Sequence, residues 1–255
     1  TFSVSMSLQL AQSYVACDIQ YWYPLFTAID KALTVPTALI SLTPEFIEEV
    51  CLSDGILLPP DYNAAQYAND TISDEDEAWA DAEKDMTPPE WPTSAQVVQQ
   101  AMQQVFDTRF KSVFPKLNWT SPKVGDQCRC MYSPQDALFI CWKKTLECSS
   151  PGDIFMLLQS SDNLAFNFDL LEMIQEELPG QHKGAVLALR RWATPDLSLE
   201  FRVFVQDGKV KGISQKHLSH CWEYLKDVRR DKTHLFTEFV LEKIVPVFPL
   251  ASCKS

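Results

Sequence analysis

The chain is short of glycine, of positive charge and of long apolar runs, and each shortage removes a class of function. Its seven glycines, Gly55, Gly125, Gly152, Gly180, Gly184, Gly208 and Gly212, never stand one residue apart. A dinucleotide-binding fingerprint and a P-loop both need closely spaced glycines to bring backbone amides onto a phosphate, so both are excluded. The longest apolar runs, 184–189 and 244–251, are far shorter than the ~20 residues that cross a bilayer, and no membrane span is expected. Thr1 to Ala16 is mildly apolar without a basic start, so no secretory signal is expected, and the missing initiator Met leaves room for a longer parent chain. GxSxG and HExxH are absent, and no cysteine and histidine stand at a spacing known for nucleophilic catalysis.

The net charge is -12, which excludes a general nucleic-acid binder, since that needs a basic stripe to neutralise phosphates. The excess is local. Nine acidic residues between Asp70 and Glu90 face only Lys84, so this stretch carries -8 and the rest of the chain -4. From Pro59 to Pro92 acidic residues and prolines replace apolar periodicity, and such a segment buries too little surface to offset its ordering entropy. A flexible acidic loop is expected over 59–92.

What the chain does have is core-forming material. With 255 residues, 46% of them hydrophobic and 11% aromatic, it can bury a sizeable core as one large domain or two small ones. Eight cysteines permit disulfides without requiring them, and Cys128 with Cys130 is a CxC pair rather than the CxxC knuckle of a zinc site. His217, His220 and Cys221 form the one histidine cluster, on an expected helix surface. Asn118-Trp119-Thr120 and Asn69-Asp70-Thr71 match the glycosylation pattern, which carries no meaning in a cytosolic protein.

Periodicity places the elements. Thr43 as cap, Pro44 at the first position and Phe46, Ile47, Val50 and Cys51 predict a short helix ended by Gly55. Val98, Ala101, Met102, Val105 and Phe106 predict a second helix, capped by Ser94. Asp153 to Ser161 reads as a third, while Leu164 to Phe168 is ambiguous. Strands are expected in the Phe114–Trp119 segment, at Ala137–Trp142, Val186–Trp192, Leu199–Val205 and Lys209–Ser214, the last two joined by an Asp207-Gly208 turn. Leu218, Trp222, Leu225, Val228, Leu235 and Phe239 predict one long or two successive helices, ended by Pro246. Helices interleaved with antiparallel strands make an α+β fold. The Tyr21-Trp22-Tyr23-Pro24-Leu25-Phe26 cluster is either core or a partner-binding face.

Ser112-Val113-Phe114-Pro115-Lys116-Leu117-Asn118-Trp119-Thr120-Ser121-Pro122 sets one lysine among apolar and aromatic residues. Two readings stand. The lysine stem lies along an apolar surface, or dry walls strengthen its contact with an anion. Strand alternation puts Arg190 and Trp192 on one face and Arg191 on the other, and groups Glu200, Arg202 and Phe204 opposite Phe201, Val203 and Val205. These charges are either paired and solvated, or they offer Lys116, Arg190 and Arg202 to a polyphosphate with Trp119 or Trp192 stacking on a base.

The order YWYP, a Ser-Asp-Gly turn, an acidic linker, SVFPKLNW, GDIFMLLQSSD, LRRW, EFRVFV and GISQK resembles the cell division cycle protein 123 family over about residues 17–225. The resemblance implies a single ATP-grasp-like domain over 17–255, with mixed and antiparallel sheets, flanking helices and a 1–16 extension. It implies that Lys116 contacts the phosphates of ATP, that Trp119 and Ser121 shape the pocket, and that the strand of Arg190, Arg191 and Trp192 lies along the nucleotide. Glu200, Arg202 and Lys216 complete the implied set. It further implies a monomeric cytoplasmic assembly chaperone, rather than a metabolic enzyme, that engages the gamma subunit of translation initiation factor 2.

Three departures stand out. Val124 to Gln135 is an insert, and His217 stands where an acidic residue is usual. Val245 to Ser255 contains no Asp or Glu, where the family continues into two strands with an aspartate and an Asp-Phe-Asn-Pro-like motif that hold Mg²⁺. The C-terminal strands and the metal ligands are thus expected to be missing. A truncated form that keeps a partner surface without Mg-ATP is the alternative, and an ATP-grasp carboxylate–amine ligase is the second.

Overall fold

The computed structural model describes residues 6–53, 57–60, 62, 90–122, 146–159, 161, 163–194, 196–227 and 229–248. In chain order the helices are α1 Leu8–Cys17, α2 Ile19–Ile29, α3 Pro44–Phe46, α4 Thr93–Thr108, α5 Pro151–Gln159, α6 Asn163–Glu177, α7 Tyr224–Asp227 and α8 Arg229–Phe239. The strands are β1 Thr37–Ser41, β2 Val113–Lys116, β3 Val186–Arg191, β4 Phe201–Gln206 and β5 Lys209–Gln215. These mixed helices and antiparallel sheets agree with the α+β expectation. The contacts divide into two compact units, Pro36–Trp192 and Ser7–Val35 with Ala193–Ser255. Each unit has its own sheet and its own helices.

In the first unit the sheet order is β1-β3-β2, antiparallel throughout. The central strand β3 is buried from Val186 to Leu189, which explains its unbroken apolar run. Leu187, Leu189, Val113 and Ala38 join Ala95, Val98, Met102 and Val105 of α4 and Ile154, Phe155 and Leu158 of α5 in one core. The Thr43 hydroxyl caps α3 as expected, accepting from the Phe46 amide at 3.3 Å. The chain then widens into a π turn over Ile47–Cys51, closed by Leu52 N–H on the Ile47 carbonyl at 2.9 Å. Ser94 is not the cap of α4. The helix starts from Pro92, whose fixed φ suits the entry, and the Ser94 hydroxyl donates instead to Glu49 Oε2 at 2.5 Å.

Helix α5 anchors both flanks of the acidic stretch. Gln159 accepts the Leu57 amide at 2.7 Å and donates back to the Leu57 carbonyl at 2.8 Å. Buried Asp153 accepts from Ser149 N–H at 2.8 Å and from the Tyr62 hydroxyl at 3.2 Å, with the Tyr62 ring seated on Gly152. On the returning side Trp91 meets Phe155 edge to face at 5.1 Å and donates its indole N–H to Gln99 at 3.1 Å. The acidic loop itself, from 63 to 89, lies outside the described residues, as do the Val124–Gln135 insert, the strand expected at Ala137–Trp142, and Cys128, Cys130 and Cys141.

In the second unit, residues 8–17 form a capped helix where the sequence predicts an extension. Ser7 Oγ accepts from Leu10 N–H at 3.3 Å, and buried Asp18 accepts from Gln20 N–H at 2.8 Å to start α2. Tyr21, Trp22 and Tyr23 are half-buried on α2, and Phe26 is buried against Phe248. Strands β4 and β5 form the expected hairpin, with Asp207 at φ 50° and Gly208 at φ 67°, the left-handed pair that a two-residue type I′ turn requires. Residues 217–223 are not helical, so the histidine cluster lies in a loop rather than on a helix surface.

Candidate functional site

In the first unit, pairing register decides what the FPKLNW segment presents. Phe114 lies opposite Arg190, and Lys116 opposite Ala188, so Phe114, Lys116, Arg190 and Trp192 share one face while Val113 and Leu189 turn to the core. The Arg190 guanidinium carbon sits 5.3 Å from the Phe114 ring centroid, and the Trp192 ring meets the same Phe114 edge to face at 6.3 Å. A cation held on an aromatic face in this way is positioned and partly desolvated. Arg191 ends the strand on the opposite side, exposed.

After Lys116 the chain leaves the sheet in a tight turn closed by Leu117 N–H on the Thr120 carbonyl at 2.8 Å. Two buried asparagines hold it. Asn118 donates to the Gly184 carbonyl and accepts from Val186 N–H, both at 3.0 Å, which ties the turn to the head of β3. Asn167 of α6 accepts from the amides of Trp119 and Thr120 at 3.4 Å and donates to the Thr120 hydroxyl. The Lys116 ammonium donates to the Trp119 carbonyl, and the Trp119 ring lies against His182 with centroids 5.7 Å apart. Lys116 is therefore already engaged by the turn it precedes, and Trp119 is packed rather than splayed outward. Ser121 follows, half-buried. Because Asn118 is buried and bonded at both ends of its amide, its glycosylation pattern is sterically closed.

The remaining predicted residues lie in the second unit. Glu200 and Lys216 face each other at the mouth of the hairpin, where Lys216 N–H bonds the Glu200 carbonyl at 2.9 Å. The Lys216 ammonium spans both carboxylate oxygens at 2.9 and 3.0 Å, and His217 Nε2 lies 2.8 Å from Oε2. The Lys216 bond, supported by His217, holds the Glu200 carboxyl below the usual glutamate range against the opposing effect of burial. Arg202, two residues on, is exposed on the same face as Phe204. Below this edge Ser198 is a buried hub. It bonds Asp196 Oδ1 at 2.6 Å, contacts the Tyr224 hydroxyl and accepts from Gln215 at 2.9 Å through its carbonyl.

Sequence reasoning named the charged groups and missed what positions them, namely Asn118, Asn167 and Ser198. Their signal was weak because a polar residue between apolar ones reads equally well as a solvated turn. The first unit thus brings two cations, Lys116 and Arg190, and the rings of Phe114 and Trp192 onto one face. Among the described residues, no group of three His, Cys, Asp or Glu side chains is placed to hold a metal ion.

The D123 family model matches residues 22–128 and 129–254. The chain belongs to the D123 family. It is 28% identical to a protein of Vanderwaltozyma polyspora and 29% identical to one of Xenopus laevis, each named translation initiation factor eIF2 assembly protein. These alignments cover 92% and 88% of the chain. A Candida glabrata relative named cell division cycle protein 123 is 29% identical over 91% of the chain. The chain spans 63% of the length of each of these three relatives. The structure of C-terminally truncated Cdc123 from Schizosaccharomyces pombe superposes with a TM-score of 0.59, covering 94% of this chain and 77% of that one at 21% identity. The D123 chain and that Cdc123 share a fold of helices and antiparallel sheets.

Proposed function

We propose that this D123 chain is an ATP-binding assembly factor for translation initiation factor 2, that it engages the factor's gamma subunit, and that it works as a monomer in the cytoplasm on an ATP-grasp-like scaffold. The observation that carries the nucleotide part is the shared face of Phe114, Lys116, Arg190 and Trp192, which combines two cations with aromatic walls. The assembly role rests on the relatives named eIF2 assembly protein. No described helix is long and apolar enough to cross a membrane.

ATP would supply a polyphosphate to this face and a base to its rings. Lys116 would exchange the Trp119 carbonyl for a phosphate oxygen, and Arg190, held on the Phe114 ring, would add a second positive charge beside it. Mg²⁺ does not fit the same residues. Glu200 is the one carboxylate of the set, and Lys216 and His217 already occupy its oxygens. That occupancy also favours a second reading, in which the chain keeps a partner surface without binding Mg-ATP.

Thermal unfolding during ATP titration, with and without Mg²⁺, separates the two. A ligand at a hundred times its Kd stabilises by about 2.7 kcal/mol, so the midpoint should climb with ATP and the climb should vanish in Lys116→Ala. An unchanged midpoint at saturating ATP refutes nucleotide binding and leaves the second reading. Co-purification tests the partner separately, and no enrichment of the gamma subunit over an unrelated acidic protein refutes the assembly role.

A further inference from the structure

The second unit contains a cavity of about 620 Å³ that none of the residues discussed so far explains. It opens between β5, α8 and the 218–223 loop, and its size falls within the range of small-molecule sites. Lys211 and Lys232 both line it, and no Asp or Glu is among its described lining residues. Lys211 arrives there through a β-bulge. Phe204 pairs with Gly212 and Val205 with Val210, so Lys211 has no residue across from it. A bulge of this kind re-aims one side chain out of the regular alternation. Lys232 comes from α8 and is half-buried, so its ammonium is partly desolvated at the cavity wall, a cost that an anion bound there would offset.

The rest of the lining mixes rings and apolar side chains with the polar Gln215, Thr233 and Thr237. His220 and Trp222 stack with centroids 5.6 Å apart and planes 25° apart, and the Phe236 ring packs on Phe201 at 4.7 Å. The Thr237 side chain adds a hydroxyl, which itself donates to the Thr233 carbonyl at 2.8 Å. Two lysines lining one cavity beside stacked rings match one chemical class, an aromatic ring bearing a phosphate or carboxylate.

We propose that this cavity is a binding site for a small aromatic anion, with Lys211 and Lys232 on the anionic group and Trp222 on the ring. The site shares no lining residue with the Lys116 face and does not depend on the reading given above.

Calorimetric titration of the full chain with phenyl phosphate tests it, alongside benzyl alcohol and inorganic phosphate as half-ligands. A hydrogen bond to a charged group is worth about 1.5–3 kcal/mol, so Lys211→Gln and Lys232→Gln should each weaken phenyl phosphate at least tenfold. Lys209→Gln, on the same strand outside the cavity, should leave the affinity unchanged. Cys221 lines the cavity, so phenyl phosphate should also slow its alkylation by iodoacetamide while exposed Cys17 reacts as before. The proposal is overturned if phenyl phosphate gives neither heat nor protection of Cys221. It is overturned too if Lys116→Ala abolishes binding that Lys211→Gln leaves intact, or if inorganic phosphate binds as tightly as phenyl phosphate.

Discussion

Glu200 carries the clearest pH dependence at the scale of a single residue. Its folded pKa is depressed, first by the Lys216 ammonium and then by His217, so the ionised form is favoured in the native state. A depressed carboxyl contributes stability above its unfolded pKa, about 4.3, and loses it as pH falls through the lower folded value. Lys216 is nearly half exposed, so solvent screens the pair and its worth is at most about 1 kcal/mol. Urea unfolding of Glu200→Gln beside the parent chain should show that deficit at neutral pH and a closing gap below about pH 4. A gap that stays constant into acid would refute the ion pair as its source.

Among the elements, α5 is set by a glycine chosen for close approach. A methyl group built on Gly152 would overlap the Tyr62 ring, so Gly152→Ala should push the ring aside and break its hydroxyl bond to Asp153. The expected cost is about 1–3 kcal/mol by denaturant unfolding. In a Tyr62→Ala background the same substitution should cost almost nothing, and an undiminished cost there would place its origin elsewhere. The sequence did not advertise this contact, because nothing local to Gly152 points to a ring ninety residues upstream. Where the signal was local, it was legible. The strand read at Val186–Trp192, the Asp207-Gly208 turn and the Thr43-Pro44 helix start all appear in the structure, although the strand is buried without alternation from Val186 to Leu189. Thr37–Ser41 escaped notice because this five-residue edge strand is buried at Thr37 and Ala38 and then opens to solvent without a regular alternation, and His217 left the expected helix surface for a bond to Glu200. In the candidate site Lys116 and Arg190 were visible as charges, whereas the asparagines that fix the turn act across long sequence separations.

At the scale of the whole molecule, the two units differ in how much they bury. The continuous core belongs to the first, whereas the second buries few side chains and exposes Leu8, Leu10, Leu197, Leu199, Phe204 and Leu218 among others. Amide exchange tracks the local opening free energy, which rises with buried apolar contacts. Peptides from β3 should therefore exchange at least about a hundredfold more slowly than those from β4 and β5, a difference of ~2.7 kcal/mol. Equal protection across both sheets would show that burial does not set the hierarchy.

Gln159 grips the peptide of Leu57 by its amide hydrogen and its carbonyl together, and nothing in that grip touches the leucine side chain. The clamp is blind to residue type. Nineteen amino acids offer it the same two atoms, and proline alone withholds one. Position 57 is thus free to drift in composition while the stem of the acidic stretch stays fastened, with the constraint written wholly at position 159.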